Sequence, residues 1–223
     1  MSFVISVNSN QRLSIGSNIK VIVDGNSIYT SYGGTAIDTL ISENSLFAGK
    51  GASFVNLARS GASWVDMIAD GSRVDSAFDS SKVNILVCAE TANACNTGGF
   101  TGNVRTGEQA WADCTTYIKA RKAANPKLKI ILCGTTPSSI GSTWDSRVNT
   151  FEELAKANYR TIGADRYVNF RTTDSPAFNH VNNLSIFQAY PSYWADAYLH
   201  LSTTGKTEMT RQICNQGISK LYR

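Results

Sequence analysis

The fold of this chain is decided by the stretch Val21-Ile22-Val23-Asp24-Gly25-Asn26-Ser27-Ile28-Tyr29. Its β-branched beginning favours a buried strand, and the Asp-Gly-Asn that follows favours a sharp turn. Ligands of an open α/β sheet bind beyond the carboxyl ends of its strands, so this turn presents Ser27 where chemistry is usually done. Ser27 is therefore a candidate nucleophile, although a serine in such a turn is more often a helix N-cap or a turn residue.

Downstream of this stretch, apolar runs of strand length alternate with segments of helical spacing. The predicted strands cover 19–24, 52–57, 83–89, 128–133 and 166–170, and the predicted helices cover 34–48, 62–70, 106–124, 144–163 and 204–221. This alternation predicts an α/β fold with three layers, α/β/α, in which helices cover both faces of a parallel sheet of about five strands. We assign residues 19–223 to this domain and residues 1–18 to an N-terminal extension or edge strand.

Two irregular stretches remain, 96–106 and 172–199, and long loops of this kind usually carry function or form a lid. The net charge of +4 is spread too widely to indicate a nucleic-acid partner. Its longest cluster, Lys119, Arg121 and Lys122 with Lys127 and Lys129, lies at a predicted helix end and is predicted to be a solvated face. The first residues lack the basic start and the apolar length of a signal peptide or membrane span, which predicts a protein that is cytoplasmic as synthesised and has no membrane partner.

The five cysteines are odd in number, widely spread and free of any Cys-x-x-Cys pair. This distribution argues against a disulfide framework and against a zinc site, and the sequence predicts neither a metal nor a cofactor. Cys88 and Cys133 lie inside apolar runs, where a thiol serves as a small core residue. Cysteine usage of this kind is typical of a reducing compartment.

Side chains of complementary chemistry follow the predicted strands: Ser27, Gly61 and Asn93, with Asp196 and His200 near the end of the chain. In acyl transfer a serine attacks, a histidine takes its proton, and an aspartate orients the imidazole. The developing oxyanion needs N–H donors, which the backbones of Ser27 and Gly61 and the amide of Asn93 can supply. Taken singly, Gly61 and Asn93 are equally typical of turns, and a lone histidine is usually structural.

The order Ser27, Gly61, Asn93, His200 resembles the four blocks of the SGNH hydrolases, the GDSL esterase superfamily, over nearly the whole chain. This resemblance implies a flavodoxin-like fold, a serine esterase without cofactor and an ester substrate. The sequence Val-Asp-Gly-Asn-Ser is also similar to that of SGNH domains of bacteriophage tail proteins, which deacetylate bacterial surface polysaccharides. That similarity implies an acetylated saccharide as substrate and association with a virion, and the polar loops favour short acyl groups.

The chain departs from the family's pattern at its supporting acids. Asn26 stands where the family has an aspartate before the serine, and Ala94 stands where it has one after the asparagine. Asn26 or Asp24 is the candidate replacement for the first acid. Asp24 and Glu90, at the ends of predicted strands, can equally be residues that bond only to local backbone.

A third departure concerns the acid that orients the histidine. Three residues separate Asp196 from His200 where the family has two, which leaves Asp174 or a backbone carbonyl as alternative partners of the imidazole. The second histidine, His180, has no motif around it and is predicted to be a loop residue.

Asn26, Tyr193 and Trp194 are candidates for lining the substrate, although aromatic residues most often fill the core. Three other functions stay open. One is a glycan-binding module on an inactive SGNH scaffold, and another is a lipase or thioesterase for longer acyl chains. The third is a nucleotide-binding protein that uses Gly205-Lys206-Thr207, although that segment lacks the first glycine of a phosphate-binding loop. The sequence indicates no oligomeric state.

Overall fold

Strand β1, Ile19–Gly25, is the second strand of a five-stranded parallel sheet in the computed structural model. The structure describes residues 17–171, 178, 188–196 and 199–222. The other strands are β2 (Ser53–Asn56), β3 (Val83–Ala89), β4 (Lys129–Cys133) and β5 (Arg166–Val168), and the spatial order is β2-β1-β3-β4-β5. This is the flavodoxin-like order, and it places the topological switch point between β1 and β3.

The helices that the structure describes from end to end surround the sheet. They are α1 (Ile37–Glu43), α2 (Trp64–Ala69), α3 (Gly71–Ser76), α4 (Ala92–Asn96), α5 (Gly107–Ala124), α6 (Ser142–Asn158) and α7 (Thr203–Gln212). Helices α2 to α6 pack together, and α1 packs with α7, so both faces of the sheet are covered. The predicted three-layer α/β/α architecture is confirmed.

Several predicted boundaries change for local reasons. The predicted helix at 34–48 begins only at Ile37, because Gly33 and Gly34 form a loop that packs against Ala195, Leu201 and Thr203. The predicted helix at 62–70 becomes two short helices that meet at Asp70. The last predicted helix is α-helical only as far as Gln212, and it continues as a π-helical turn over Ile213–Gly217 and a 3-10 turn over Ile218–Tyr222.

The core consists of the strands and the helix faces that cover them. All five cysteines are buried and unpaired, which confirms that Cys88 and Cys133 are core residues. The predicted solvated face at Lys119, Arg121 and Lys122 is wrong for Arg121, which is buried and lies 3.0 Å from the Asp75 carboxylate. Room for the guanidinium exists because the residue opposite it is Gly71, where any side chain would collide with it.

The N-terminal extension stays a prediction, since residues 1–16 lie outside the described residues, as do Asp174 and His180. Within the part of the chain that the structure describes, no helix has both the length and the hydrophobicity needed to cross a membrane.

Candidate active site

Ser27 lies directly after β1, at the first residue of a single 3-10 turn, Ser27–Tyr29. The turn is capped by Asn26, whose side-chain oxygen accepts a hydrogen bond from the Ile28 N–H at 3.0 Å. Asn26 is therefore structural. Its side chain is buried, so its predicted contact with substrate is not supported by its position.

His200 reaches Ser27 from the loop that precedes α7. Its Nε2 lies 3.0 Å from the Ser27 Oγ, and its Nδ1 is hydrogen-bonded to the Asp196 Oδ2. The other oxygen of Asp196 accepts the N–H groups of Leu199 and His200, at 2.8 and 3.1 Å. Because the carboxylate also closes this turn, the extra residue between Asp196 and His200 does not turn it away from the ring.

The loop that carries His200 is held in place by its own backbone. The Ala195 N–H donates to the His200 carbonyl at 2.8 Å, and Trp194 and Leu201 form an antiparallel bridge. Helix α7 starts immediately afterwards, with the Ser202 hydroxyl capping its first turn. The imidazole is thus presented from a closed turn.

On the other side of Ser27, the loops after β2 and β3 meet. The Asn93 side chain donates one N–H to the Ala62 carbonyl at 2.9 Å, and its amide group has a second N–H. Gly61 has a φ of +83°, in the region that favours glycine. The Arg59 N–H donates to the Gly25 carbonyl at 2.8 Å, which ties this loop to the end of β1. The loop of Gly61 and the start of α4, which carries Asn93, are therefore joined to each other and to the end of β1, two residues before Ser27.

Glu90 is the residue that joins these loops. It is fully buried after β3, and its Oε1 accepts the Asn93 N–H at 2.7 Å and the Asn26 amide at 3.3 Å. Its Oε2 accepts the backbone N–H groups of Trp64 and Ala94, at 3.1 and 3.3 Å. Burial raises the pKa of this carboxyl to about 8, against the effect of these four donors, which lower it.

Sequence reasoning missed this role and treated Glu90 as bonded only to local backbone. The available signal was an acid placed at the end of an uninterrupted apolar strand, where a carboxylate needs several hydrogen-bond donors. Its partners, however, are up to 64 positions away in the chain.

Asp24 does not replace the missing family acid. Its carboxylate accepts the Tyr117 hydroxyl at 2.6 Å and its neighbour's N–H, on the side of the sheet covered by α5. Burial raises its pKa to about 6. The expectation for Asp24 is therefore wrong, and the acid that supports Asn26 is Glu90.

The two aromatic candidates are elsewhere. The Trp194 ring is buried and packs edge-on against Phe178, at 6.2 Å between centroids, so its predicted contact with substrate does not fit its position. Tyr193 is half-buried and lines a separate groove of about 590 Å³ beside residues of α1 and α7.

The nucleotide-binding alternative is not supported by the position of Lys206. This side chain is fully buried, and its ammonium donates to the carbonyls of Thr30 and Tyr32, at 2.5 and 2.8 Å. It therefore holds a loop of its own chain. Among the described residues, no group of His, Cys, Asp and Glu side chains is arranged to hold a metal ion.

Similarity to known proteins is found in structure. No protein-family model and no curated protein sequence matches the chain. A solved structure of a lipolytic G-D-S-L family member from Veillonella parvula is 17% identical, with a TM-score of 0.61, covering 88% of this chain and 96% of its own. The chain has the fold of the GDSL hydrolases.

Two acetyl xylan esterases share this GDSL fold. A catalytic mutant of Axe2 from Geobacillus stearothermophilus is 16% identical, with a TM-score of 0.63, and the match covers 92% of this chain and 96% of that one. The enzyme AlAXEase is 19% identical, with a TM-score of 0.61 and coverage of 87% and 98%. The predicted likeness to this fold is confirmed over nearly the whole chain.

Proposed function

We propose that this protein is a serine esterase of the SGNH type. The observation that carries the proposal is the unbroken hydrogen-bonded chain from the Asp196 carboxylate through the His200 ring to the Ser27 hydroxyl. An inactive glycan-binding scaffold would not need a histidine that lies 3.0 Å from the serine and is also oriented by an aspartate. The likeness in fold to GDSL hydrolases supports the same function.

Catalysis follows from the direction of these bonds. The Nε2 of His200 takes the proton of the Ser27 hydroxyl as the oxygen attacks the ester carbonyl carbon, and Asp196 accepts the Nδ1–H of the imidazolium that forms. The N–H groups of Ser27, Gly61 and Asn93 stabilise the oxyanion. As the intermediate collapses, His200 gives its proton to the leaving alcohol, and an acyl-serine remains.

A water molecule completes the reaction. His200 takes one of its protons while the oxygen attacks the acyl carbon, and a second oxyanion forms in the same place. Collapse breaks the bond to Ser27, whose oxygen recovers the proton from His200. The carboxylic acid leaves, and the enzyme returns to its starting state.

For the substrate, we propose an acetyl ester carried by a saccharide. Two of the proteins that share the fold are acetyl xylan esterases, which supports an acetyl group and a carbohydrate alcohol. Because another protein with this fold belongs to a lipolytic family, esters of longer acyl chains are the second candidate substrate. Comparing the kcat/KM values for p-nitrophenyl acetate and p-nitrophenyl octanoate separates the two, because an acetylesterase favours the shorter ester.

The activated serine is tested with a fluorophosphonate probe and mass spectrometry of the labelled peptide. We expect the label on Ser27, and we expect labelling to be lost in Ser27→Ala and strongly slowed in His200→Ala. The matched control is Ser60→Ala, which removes an exposed serine from a neighbouring loop and should label like the wild type. Folded wild-type protein that takes no label would refute the hydrolase function.

A further inference from the structure

Two exposed aromatic side chains border the site that we propose to be catalytic. Among the described residues, the large apolar side chains with the greatest exposure are Tyr32, Phe100 and Val104, at 54%, 59% and 42%. Tyr32 and Phe100 each touch an element of the site. Single exposed apolar residues are ordinary on a protein surface, so it is the position of these two rings beside the site, and not their exposure alone, that points to a ligand.

Tyr32 stands against the catalytic base. Its ring centroid lies 4.3 Å from that of His200, with the two planes tilted by 56°. Its backbone is fixed on both sides, since its N–H donates to the Thr30 hydroxyl at 3.1 Å and its carbonyl accepts the buried Lys206 ammonium at 2.8 Å. The ring is therefore exposed on a rigid support, and little backbone ordering remains to oppose binding.

Phe100 stands against the other side of the site. A β-carbon on Gly61 would lie 3.1 Å from its ring, so the ring adjoins the loop of the proposed oxyanion hole. The Phe100 N–H donates to the Asp66 carboxylate at 3.0 Å, and the Arg59 guanidinium lies 5.2 Å from the ring centroid. The guanidinium occupies one face of the ring, and the side chain remains more than half exposed.

The groups of the proposed reaction, Ser27, His200 and Asn93, are polar, whereas the apolar rings of Tyr32 and Phe100 adjoin two different parts of the site, the base and the loop of Gly61. The described residues of the site therefore present apolar and polar groups in alternation. A lipid chain would need a continuous patch. A chain of pyranose units matches the alternation, because its C–H faces stack on the negative faces of aromatic rings while its hydroxyls meet polar groups.

We propose that Tyr32 and Phe100 bind sugar units on either side of the scissile ester, so that the substrate is an acetylated oligosaccharide or polysaccharide and not a single acetylated sugar. The inference rests on the proposed esterase function. An acetyl group offers little surface to bind, and units remote from the ester can supply the binding energy that orients it.

The test compares Tyr32→Ala and Phe100→Ala on two substrates, partially O-acetylated xylohexaose and p-nitrophenyl acetate. Stacking of this kind contributes roughly three- to tenfold in binding. We expect each variant to raise KM for the hexaose so that the ratio of the two kcat/KM values falls by about that factor. The control is Val104→Ala, which removes the third exposed apolar side chain and should leave the ratio unchanged.

In the wild type, acetylated xylohexaose should also be a better substrate than an acetylated methyl xyloside, and each ring variant should reduce this advantage. The inference would be overturned if the ratio of the two kcat/KM values stayed at the wild-type value in both ring variants, including the case in which a variant loses activity equally on both substrates. Tyr32→Phe keeps the stacking surface and should restore the wild-type ratio.

Binding without turnover separates this inference from the proposed function. Ser27→Ala protein is titrated with the same hexaose in a calorimeter, alone and combined with Tyr32→Ala or Phe100→Ala. Ring-dependent binding in a protein whose wild type hydrolyses neither substrate would refute the esterase and keep the sugar site. If the protein hydrolyses p-nitrophenyl acetate, and both ring variants bind and hydrolyse the hexaose like the wild type, the sugar site is refuted and the esterase function is kept.

Discussion

The two sides of Ser27 each depend on a carboxylate, and the two carboxylates are used in opposite ways. The Asp196 side chain is 31% exposed and pairs with one histidine, whose charge changes during the proposed reaction. Glu90 is completely buried and accepts four N–H groups from three different segments of the chain. The same functional group thus orients a proton carrier on one side and fixes backbone geometry on the other.

The difference follows from where each acid sits relative to water. Near the surface, solvent lowers the cost of a charge, and the donors to Asp196 come from its own short loop: the N–H groups of Leu199 and His200 and the His200 ring. In the interior each oxygen of a carboxylate must be satisfied by protein donors, and satisfying Glu90 draws the Asn26, Trp64 and Asn93 segments together. Buried polar networks of this kind specify a single arrangement.

The largest effect is expected on the exposed side, from Asp196→Asn. The asparagine amide would donate towards Nδ1 and select the tautomer whose Nε2 carries a proton, so His200 could not accept the proton of Ser27. We expect kcat for p-nitrophenyl acetate to fall roughly a thousandfold or more, with little change in thermal stability. A loss below tenfold would show that another group orients the imidazole.

On the buried side, Glu90→Gln should have a smaller effect on rate. The amide keeps the shape of the side chain but replaces one accepting oxygen by an NH2 group, which cannot accept a hydrogen bond in the way a carboxyl oxygen does in either protonation state. Two of the four N–H donors thus lose their acceptor, and Asn93 loses its fixed position. We expect kcat to fall by up to about a hundredfold, the scale of losing one oxyanion donor. The matched control is Glu153→Gln, the same change on the exposed surface of α6, which should leave kcat unchanged.

The buried side should also respond to pH in its stability. The pKa of Glu90 is about 8 in the folded chain against 4.5 for a free side chain, so between these values the folded state holds a proton that the unfolded state has lost. The free energy of unfolding therefore falls as pH rises through this range, by at most about 1.4 kcal/mol per pH unit.

Between pH 6 and 8, the comparison of wild type with Glu90→Gln isolates the contribution of Glu90, because the other titrating groups are common to both proteins. Asp24, with a folded pKa of about 6, changes the free energy of unfolding mainly below this range. Burial lowers the pKa of Lys206 to about 8, so Lys206 makes the free energy of unfolding rise with pH, mainly above this range. Urea unfolding at several pH values should show the fall in wild type and a flatter profile in Glu90→Gln. An unchanged slope in that variant would mean that Glu90 is ionised throughout.

The smallest effect is expected from Tyr117→Phe, which removes the hydroxyl that donates to Asp24. This change leaves a buried carboxylate oxygen without its donor and should cost about 1 to 3 kcal/mol in the free energy of unfolding. Because Asp24 faces α5, kcat should stay within about twofold of the wild type, a negligible difference in barrier. A loss of rate as large as that of Glu90→Gln would show that Asp24 also supports the site.

Much of the fold could be predicted because it depends on local patterns. The predicted strand at 83–89 coincides with β3, since an unbroken run of buried apolar residues is a strong local signal. Helix ends were predicted less well. The end of α7 depends on a π-helical turn, and the start of α1 depends on two glycines that pack against a segment about 160 residues further along the chain.

The candidate site shows the same division. Position after predicted strands indicates Ser27, Gly61 and Asn93, and the residue types needed for acyl transfer indicate Asp196 and His200 near the end of the chain. Residue type alone suggests substrate contact for Trp194 and Asn26, because it does not show whether a side chain faces the core or solvent. For the same reason the sequence gives no signal for Tyr32 and Phe100.

By itself the sequence determined the α/β class, the parallel sheet, and the set of residues available for acyl transfer, because strand and helix periods and turn chemistry are local properties. Only the tertiary structure decided which acid supports which side of Ser27, and which aromatic rings stand in water. These depend on burial and on hydrogen bonds between distant segments. Glu90 joins the loops around Ser27 because a buried carboxyl group needs several hydrogen-bond donors, and in this fold they come from several parts of the chain.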